Sequence, residues 1–296
     1  MKEKPFSKYQ ILANAVMIIW TLAIILPFIL LFMSSITDEN TRVANGYSFF
    51  PKKFSLASYS YIIKSGGQIL KAYGVSIGVT VVGTLLNVLL SALMAYPLSV
   101  KNLPGRNVMM FFVFFTMLFN GGIVPSYIMW TGTFHIKDTI FAQLLPNFLL
   151  SAWNVMMIRT YFTTSIPDGL YEAAEIDGAS QFTIFWKIVL PLGKPILVTM
   201  GTFAGLAYWN DWTNGLYYIV KNTGLYNVQN LLNQMVQNIQ FLTQSSNSNV
   251  TAAASTIPAT GIQMAIAFVA ILPIMLIFPS FQKYYAKGIA LGAVKG

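Results

Sequence analysis

Apolar residues in this chain gather into six long runs separated by shorter polar stretches. The first, Ile11 to Ser34, holds 24 residues, enough to cross roughly 30 Å of hydrocarbon with some tilt. The others cover about 72–99, 108–130, 139–161, 188–208 and 260–281. Runs of this length predict helices that are apolar on every side, with lipid or other helices as neighbours. Pro27 inside the first is tolerated in a membrane helix. Gly74, Gly78 and Gly83 in the second run, and Gly201 and Gly205 in the fifth, read as small-residue seams that bring helices close. Phe111, Phe112, Phe114, Phe115 and Phe119 in the third read as lipid-facing bulk. The stretch Asn120-Gly121-Gly122-Ile123-Val124-Pro125 ends or breaks that run.

Polar stretches between the runs set an orientation. Lys2, Lys4 and Lys8 precede the first run, Lys101 and Arg106 the third, and Lys283, Lys287 and Lys295 follow the last. With the N-terminus inside and six spans, eleven basic residues fall inside and seven outside, the bias that orients membrane proteins. Both termini are then cytoplasmic, and so is the stretch after the fourth run. Outside lie the polar segment Ile36–Lys71 and a helix from Val228 to Leu242 with an apolar stripe and an Asn/Gln face. These are the sizeable external segments, and they are expected to meet a partner protein. Gln244 to Thr256 reads as a polar loop.

Composition fits this picture and narrows it. The chain is 55% hydrophobic and 9% charged, with mean hydropathy +0.61, whereas soluble domains are about 25% charged. It is read as one all-α polytopic membrane domain, residues 1–296, with six transmembrane helices. The first run is too long for a signal-peptide core and lacks a small-residue cleavage site, so it reads as a retained span. A net charge of +9 sits at run ends rather than in a patch, which argues for orientation and against nucleic acid. Cysteine is absent, so disulfides and thiolate chemistry are excluded. His135 is the chain's single histidine, and no metal site is expected. Phosphate-loop, HExxH, GxSxG and CxxC patterns are missing, so no catalytic residue is assigned and the chain is not expected to hydrolyse ATP.

Polar residues inside the runs are the remaining candidates. Asn87 lies in mid-run and needs a partner at that depth; interhelical hydrogen bonding is the favoured reading over substrate contact. Asn87, Asn120, Trp153, Asn154, Trp209 and Asn210 form the candidate substrate path, since aromatic and amide side chains suit stacking and hydroxyl recognition. Arg159, at the inner end of the fourth run, can snorkel and complement a helix C-terminus. No carboxylate lies in mid-run, which disfavours a proton- or sodium-driven carrier, although backbone carbonyls can also bind sodium.

One polar segment stands apart. Residues 166–187 carry Asp168, Glu172, Glu175 and Asp177, four of the nine acidic residues. Ser165 reads as a helix cap with Pro167 in the first turn. The carboxylates near the helix start suit the positive end of its dipole. Gly178 permits a sharp turn, and Phe182, Phe185, Trp186 and Val189 then recur at helical spacing as far as Pro191. By itself this is an ordinary helical hairpin between spans.

Its spacing carries a resemblance. Glu172-Ala173-Ala174, three residues, Gly178, nine residues, Ile188, one residue and Leu190-Pro191 resemble the EAA loop of ABC importer permeases. The resemblance implies the type I ABC importer permease fold and a hairpin that docks in a groove of an ATPase subunit through Glu172, Ala173, Ala174, Asp177, Gly178, Ile188, Leu190 and Pro191. Pro51-Lys52-Lys53-Phe54-Ser55-Leu56, the Asn120–Pro125 stretch and Trp209-Asn210-Asp211-Trp212 are similar to segments of sugar permeases. The ending KYYAKGIALGAVKG resembles that of maltose-type permeases, whose tail enters the ATPase dimer interface, here with Gly288, Leu291, Gly292 and Lys295. Implied partners are a second homologous permease forming a heterodimer, two ATPase subunits carrying ATP and Mg, an extracytoplasmic solute-binding protein and a carbohydrate, an oligosaccharide above all. No cofactor is expected on this chain, and the implied place is the bacterial cell membrane. The alternatives are an ABC permease for another solute and an autonomous secondary transporter.

Overall fold

The computed structural model describes residues 8–64, 66–244 and 259–293. Lys2, Lys4, most of the Gln244–Thr256 loop and Lys295 lie outside them. Among the described residues the regular structure is helical, with one isolated bridge, Thr37 to Phe54. The helices are α1 (Lys8–Ser35), α2 (Glu39–Asn45), α3 (Ala57–Lys64), α4 (Gly66–Ser99), α5 (Arg106–Leu118), α6 (Ile123–Ile128), α7 (Phe141–Leu144), α8 (Ala152–Ser165), α9 (Asp168–Ile176), α10 (Gln181–Ile184), α11 (Leu190–Leu192), α12 (Lys194–Asn210), α13 (Thr213–Tyr218), α14 (Val228–Gln244) and α15 (Ala259–Ala293). Short π turns continue α6 over Met129–Thr133 and α10 over Phe185–Val189.

Two of these helices, Tyr9–Ser35 and Gly66–Ser99, are long and apolar enough to cross a bilayer alone. Two more candidates are bent pairs: Arg106–Leu118 with Ile123–Thr133, at 109°, and Gln181–Leu192 with Lys194–Asn210, at 78°. The first bend is built by Asn120, whose Oδ1 accepts the Gly122 amide at 2.8 Å and so offers the backbone a turn in place of the helix ladder. At the second, α12 restarts with Pro195 in its first turn, where the missing N–H is harmless.

The fourth apolar run is not one helix. After α7 the chain passes Pro146, and Asn147 adopts φ +66°, a left-handed conformation that asparagine tolerates better than most residues. Asn147 Nδ2 then donates to Asn214 Oδ1 at 3.1 Å, and Asn214 Nδ2 to Pro146 O at 3.1 Å. Side-chain amides replace the missing helix hydrogen bonds. The last apolar helix, α15, continues to Ala293 through Gly288 and Gly292, where the sequence suggested a poor helix.

The chain divides into two compact units. One joins the segment up to Ile69 with Leu232–Pro273. In it the segment after α1, expected to be irregular, holds α2 and α3. The Arg42 guanidinium is buried; it pairs with Glu39 and donates to Ser34 O at 2.5 Å. Glu39 in turn accepts from the Thr260 and Gly261 amides at 3.3 and 3.2 Å, capping the start of α15 from outside the helix. Ile62, Ile262, Ala265 and Ile266 form this unit's core.

The other unit joins Leu70–Leu231 with Ile274–Gly296. Its main core draws Ala95 and Leu98 from α4, Val113 from α5, Val155, Ile158 and Phe162 from α8, and Phe185, Val189 and Met200 from the segment after α9. The small-residue seam lies at Gly83, Gly201 and Gly205, where α4 meets α12: a side chain on Gly201 would touch Val88 and one on Gly205 would touch Thr84. Gly74 and Gly78 have open space around them and are not part of it.

Candidate functional site

The hairpin that carries the Glu172 motif starts differently from the sequence expectation. Ser165 is the last residue of α8, not a cap, and Pro167, extended at φ −63° and ψ 136°, precedes α9 without a side-chain cap. Proline at 167 disfavours helix at Ile166, so α8 runs up to it and the break falls one residue later. Lys101 Nζ pairs with Asp168 Oδ2 at 2.5 Å on the surface.

The turn after α9 explains the motif's glycine. The Gly178 amide donates to Glu175 O at 3.0 Å and the Ala179 amide to Ala174 O at 2.9 Å. This is a Schellman closure, which requires a left-handed residue after the cap. Gly178 has φ +77°, a conformation that costs side-chain-bearing residues about 1–2 kcal/mol. Ala174 is buried while Glu172, Ala173, Asp177 and Gly178 are exposed. A residue larger than alanine at 174 would force the hairpin off its support.

That support is extensive. Tyr96 OH donates to Gln181 Oε1 at 2.6 Å, and Gln181 Nε2 to Glu175 Oε1 at 2.8 Å. The Tyr96 ring lies against Tyr171 and Phe185, with centroids 6.4 and 5.5 Å apart. Ile188 and Leu190 pack on the core, whereas Pro191 is exposed in the first turn of α11. Glu172 itself makes no hydrogen bond or ion pair among the described residues. The outcome is a rigid hairpin, fixed to α4 and α8, that presents an unpaired carboxylate.

The path candidates separate into two groups. Asn87 and Asn154 are 2% and 5% exposed. Asn154 Nδ2 donates to Asn87 Oδ1 at 2.7 Å, and Asn87 Nδ2 donates to Phe148 O at 2.6 Å. Their amides bridge α4, α8 and the loop between α7 and α8. Trp209 is buried with its ring 6.3 Å from that of Tyr73, while Asn120, Trp153 and Asn210 lie on the surface. Among the tail candidates, Gly288, Leu291 and Gly292 lie on α15.

A second polar group, only partly anticipated, surrounds the end of α12. Asp211 Oδ1 accepts from the Thr213 and Asn214 amides at 3.0 and 3.2 Å. Asn227 Nδ2 donates to Asp211 O at 2.6 Å, Asn230 Nδ2 donates to Trp212 O, and Gln143 Nε2 donates to Leu225 O at 3.2 Å. Asn227 and Asn230 belong to the Asn/Gln series read as an outer face, yet both are buried. Each amide satisfies a carbonyl left free by a helix end. Nothing in the linear pattern distinguishes them from their exposed neighbours.

Asp138 secures the neighbouring loop. Its Oδ1 accepts the consecutive amides of Val220, Lys221 and Asn222 at 2.7, 2.7 and 3.2 Å. The Lys221 amide, followed by those of Asn222 and Val220, holds the carboxyl below its ordinary pKa although burial opposes them. A depressed folded pKa contributes stability above the unfolded value, lost as pH falls through the folded one. Asp138→Asn is therefore expected to speed amide exchange at 220–222 at neutral pH, and acidification of the wild type below its folded value should do the same. Hydrogen exchange read by mass spectrometry checks both.

Long apolar helices, a cytoplasm-type hairpin with an unpaired glutamate and the lack of any reactive constellation define a transport subunit rather than an enzyme. Residues 6–291 match the family described as the binding-protein-dependent transport system inner membrane component, and the chain belongs to that family: it is a permease subunit of an ABC importer. It is 36% identical over 272 residues to the protein LplC of Bacillus subtilis (strain 168), covering 92% of this chain and 90% of that one. It is also 36% identical over 288 residues to the polygalacturonan/rhamnogalacturonan transport system permease protein YtcP of the same organism, covering 97% and 98%. Its fold matches a chain of a bacterial ABC transporter involved in import of the acidic polysaccharide alginate, with TM-score 0.79 and 26% identity, covering 95% of this chain and 100% of that one.

Proposed function

We propose that this chain is one of two homologous permeases, forming a heterodimer, through which an oligosaccharide enters a bacterial cell across its cell membrane. Six spans with both termini cytoplasmic put the Glu172 hairpin where an ATPase can reach it. Two ATPase subunits bind ATP and Mg, and their closure moves the hairpin. An extracytoplasmic binding protein delivers the sugar to the outer side, meeting the loop after α1 and the helix α14. The observation that carries this reading is the hairpin: a Schellman turn fixes its tip, aromatic packing ties it to the spans, and Glu172 is left without a partner. Carbohydrate is supported by the relatives' substrates and by exposed Asn120, Trp153 and Asn210, which suit hydroxyl and ring recognition.

Reconstitution tests the reading. Vesicles holding the chain with its co-expressed transporter subunits and binding protein should accumulate labelled oligogalacturonides only with ATP. Uptake driven by an ion gradient without ATP would point to an autonomous carrier. The tail is assigned a part in coupling: removal of residues 288–296 should leave the helices inserted but lower transport, with weakened ATPase association or raised futile hydrolysis. Full transport by the truncated chain would reduce the tail to an orienting basic end.

A further inference from the structure

Two arginines face one another where α4 turns into α5, and neither has an acidic partner. Arg159, on α8, donates from Nε to Leu98 O at 3.2 Å in the last turn of α4. Arg106 opens α5, which packs on α8. The two guanidinium groups lie close enough to repel one another. Arg106 Nε is buried with no hydrogen-bond partner. The ion pairs among the described residues are Glu39–Arg42, Asp38–Lys53 and Asp168–Lys101, so the nearby Lys101 is already committed and no carboxylate reaches the arginines. The start of α5 adds positive character, for Gly105 supplies no side-chain cap. Placing two positive groups and a helix N-terminus together, part-buried and without an anion, is unfavourable unless an anion joins them.

Chemistry beside the pair narrows the anion. Immediately beyond Arg106, Val108, Met109, Phe112 and Phe115 are exposed along α5. A ligand that fits both features has an anionic head with several oxygens, for the planar guanidinium forks, and an apolar chain to lie along the helix. We propose that Arg106 and Arg159 hold the phosphate of an anionic phospholipid whose acyl chain covers the exposed side of α5. Basic pockets between membrane helices bind lipid head groups in this way. An acidic side chain of a partner subunit would satisfy the charges, but it leaves the phenylalanine side of α5 uncovered. The inference rests on the reading that α5 belongs to a membrane span; flotation of the chain with liposomes checks that reading separately.

Native mass spectrometry of the full chain, purified with its transporter subunits and stepwise delipidated, tests the site with phosphatidylglycerol as probe. The wild type should keep phosphatidylglycerol in preference to phosphatidylcholine. The R106Q/R159Q double variant should lower its occupancy at least tenfold. R106K/R159K, which keeps the charge and loses the fork, should retain an intermediate amount, and this separates lipid loss from misfolding. Lys221→Gln, away from the site, should change nothing. Equal retention in wild type and R106Q/R159Q would overturn the proposal. So would full displacement of the lipid by inorganic phosphate, which would make this a free-anion site. Loss of ATPase association with lipid retention unchanged would assign the arginines to a partner carboxylate instead.

Discussion

Glu172→Lys is expected to release or uncouple the ATPases while leaving the permease folded. Glu172 is exposed and makes no contact that its reversal would break within this chain. Its loss is therefore felt only across an interface. Truncating one member of an interfacial charge pair costs about 2–5 kcal/mol, and reversal adds repulsion, so association should weaken roughly thirtyfold or more. Co-purification of the ATPases and substrate-stimulated ATP hydrolysis should both fall, while the melting temperature of the isolated permease stays within about a degree or two of wild type. Gly178→Val should reach the same end by another route, since a β-branched residue at φ +77° opens the turn that presents Glu172. Normal assembly and normal stimulated hydrolysis in both variants would remove Glu172 from the coupling surface.

Gly83→Ala should be the most damaging single methyl in the membrane-embedded region. A Cβ there would stand 2.5–2.7 Å from the Tyr208 ring. The ring has little room to retreat: Tyr208 is 1% exposed, its hydroxyl donates to Leu144 O at 2.9 Å, and Phe148 lies 5.4 Å away. Overpacking of this kind costs about 1–3 kcal/mol. Tyr208→Phe, which removes only the hydrogen bond, should cost less, near the roughly 0.6 kcal/mol average for such bonds in membranes. Combining Gly83→Ala with Tyr208→Leu should recover part of the loss, because the added methyl fills space that the ring vacates. Unfolding in detergent by denaturant measures all four proteins. Strict additivity in the double variant would show that the two residues do not meet.

Some of this was legible in the residue order and some was not, for identifiable reasons. The uninterrupted apolar runs under α1 and α4 are visible because a lipid-surrounded helix needs no polar face. The motif around Gly178 is equally visible, since a Schellman turn asks for glycine at a fixed offset from the helix it closes. Pairings across long separations are a different matter. Asn87 announced that it needed a partner, but Asn154 and the Phe148 carbonyl lie 67 and 61 residues away, and many polar groups were equally eligible. The same blindness hid Asn227 and Asn230 inside an apparently outward-facing series. Hydropathy made the fourth run look continuous, because it does not register that Pro146 and Asn147 break the ladder and that Asn214 repairs it. Gly74 and Gly78 matched the small-residue pattern, yet the close approach falls at Gly83, where Tyr208 decides the matter.

The π turn at Phe185–Val189 bears on how this hairpin can be inherited. Such a turn holds one residue more than the α-helical turn it replaces. Between Gly178 and Ile188 the chain therefore counts residues that a plain helix would not need. Deleting one, Lys187 for instance, would let the turn relax to α geometry and rotate everything after it by about 100° relative to Gly178. Val189, now fully buried, would swing away from the core, and Leu190 and Pro191 would leave their places at the head of α12. Substitution at the exposed Phe182, Trp186 or Lys187 leaves that count intact, whereas a single-codon loss shifts the phase of the whole segment. Lineages carrying this hairpin are thus free to vary its letters but not its length.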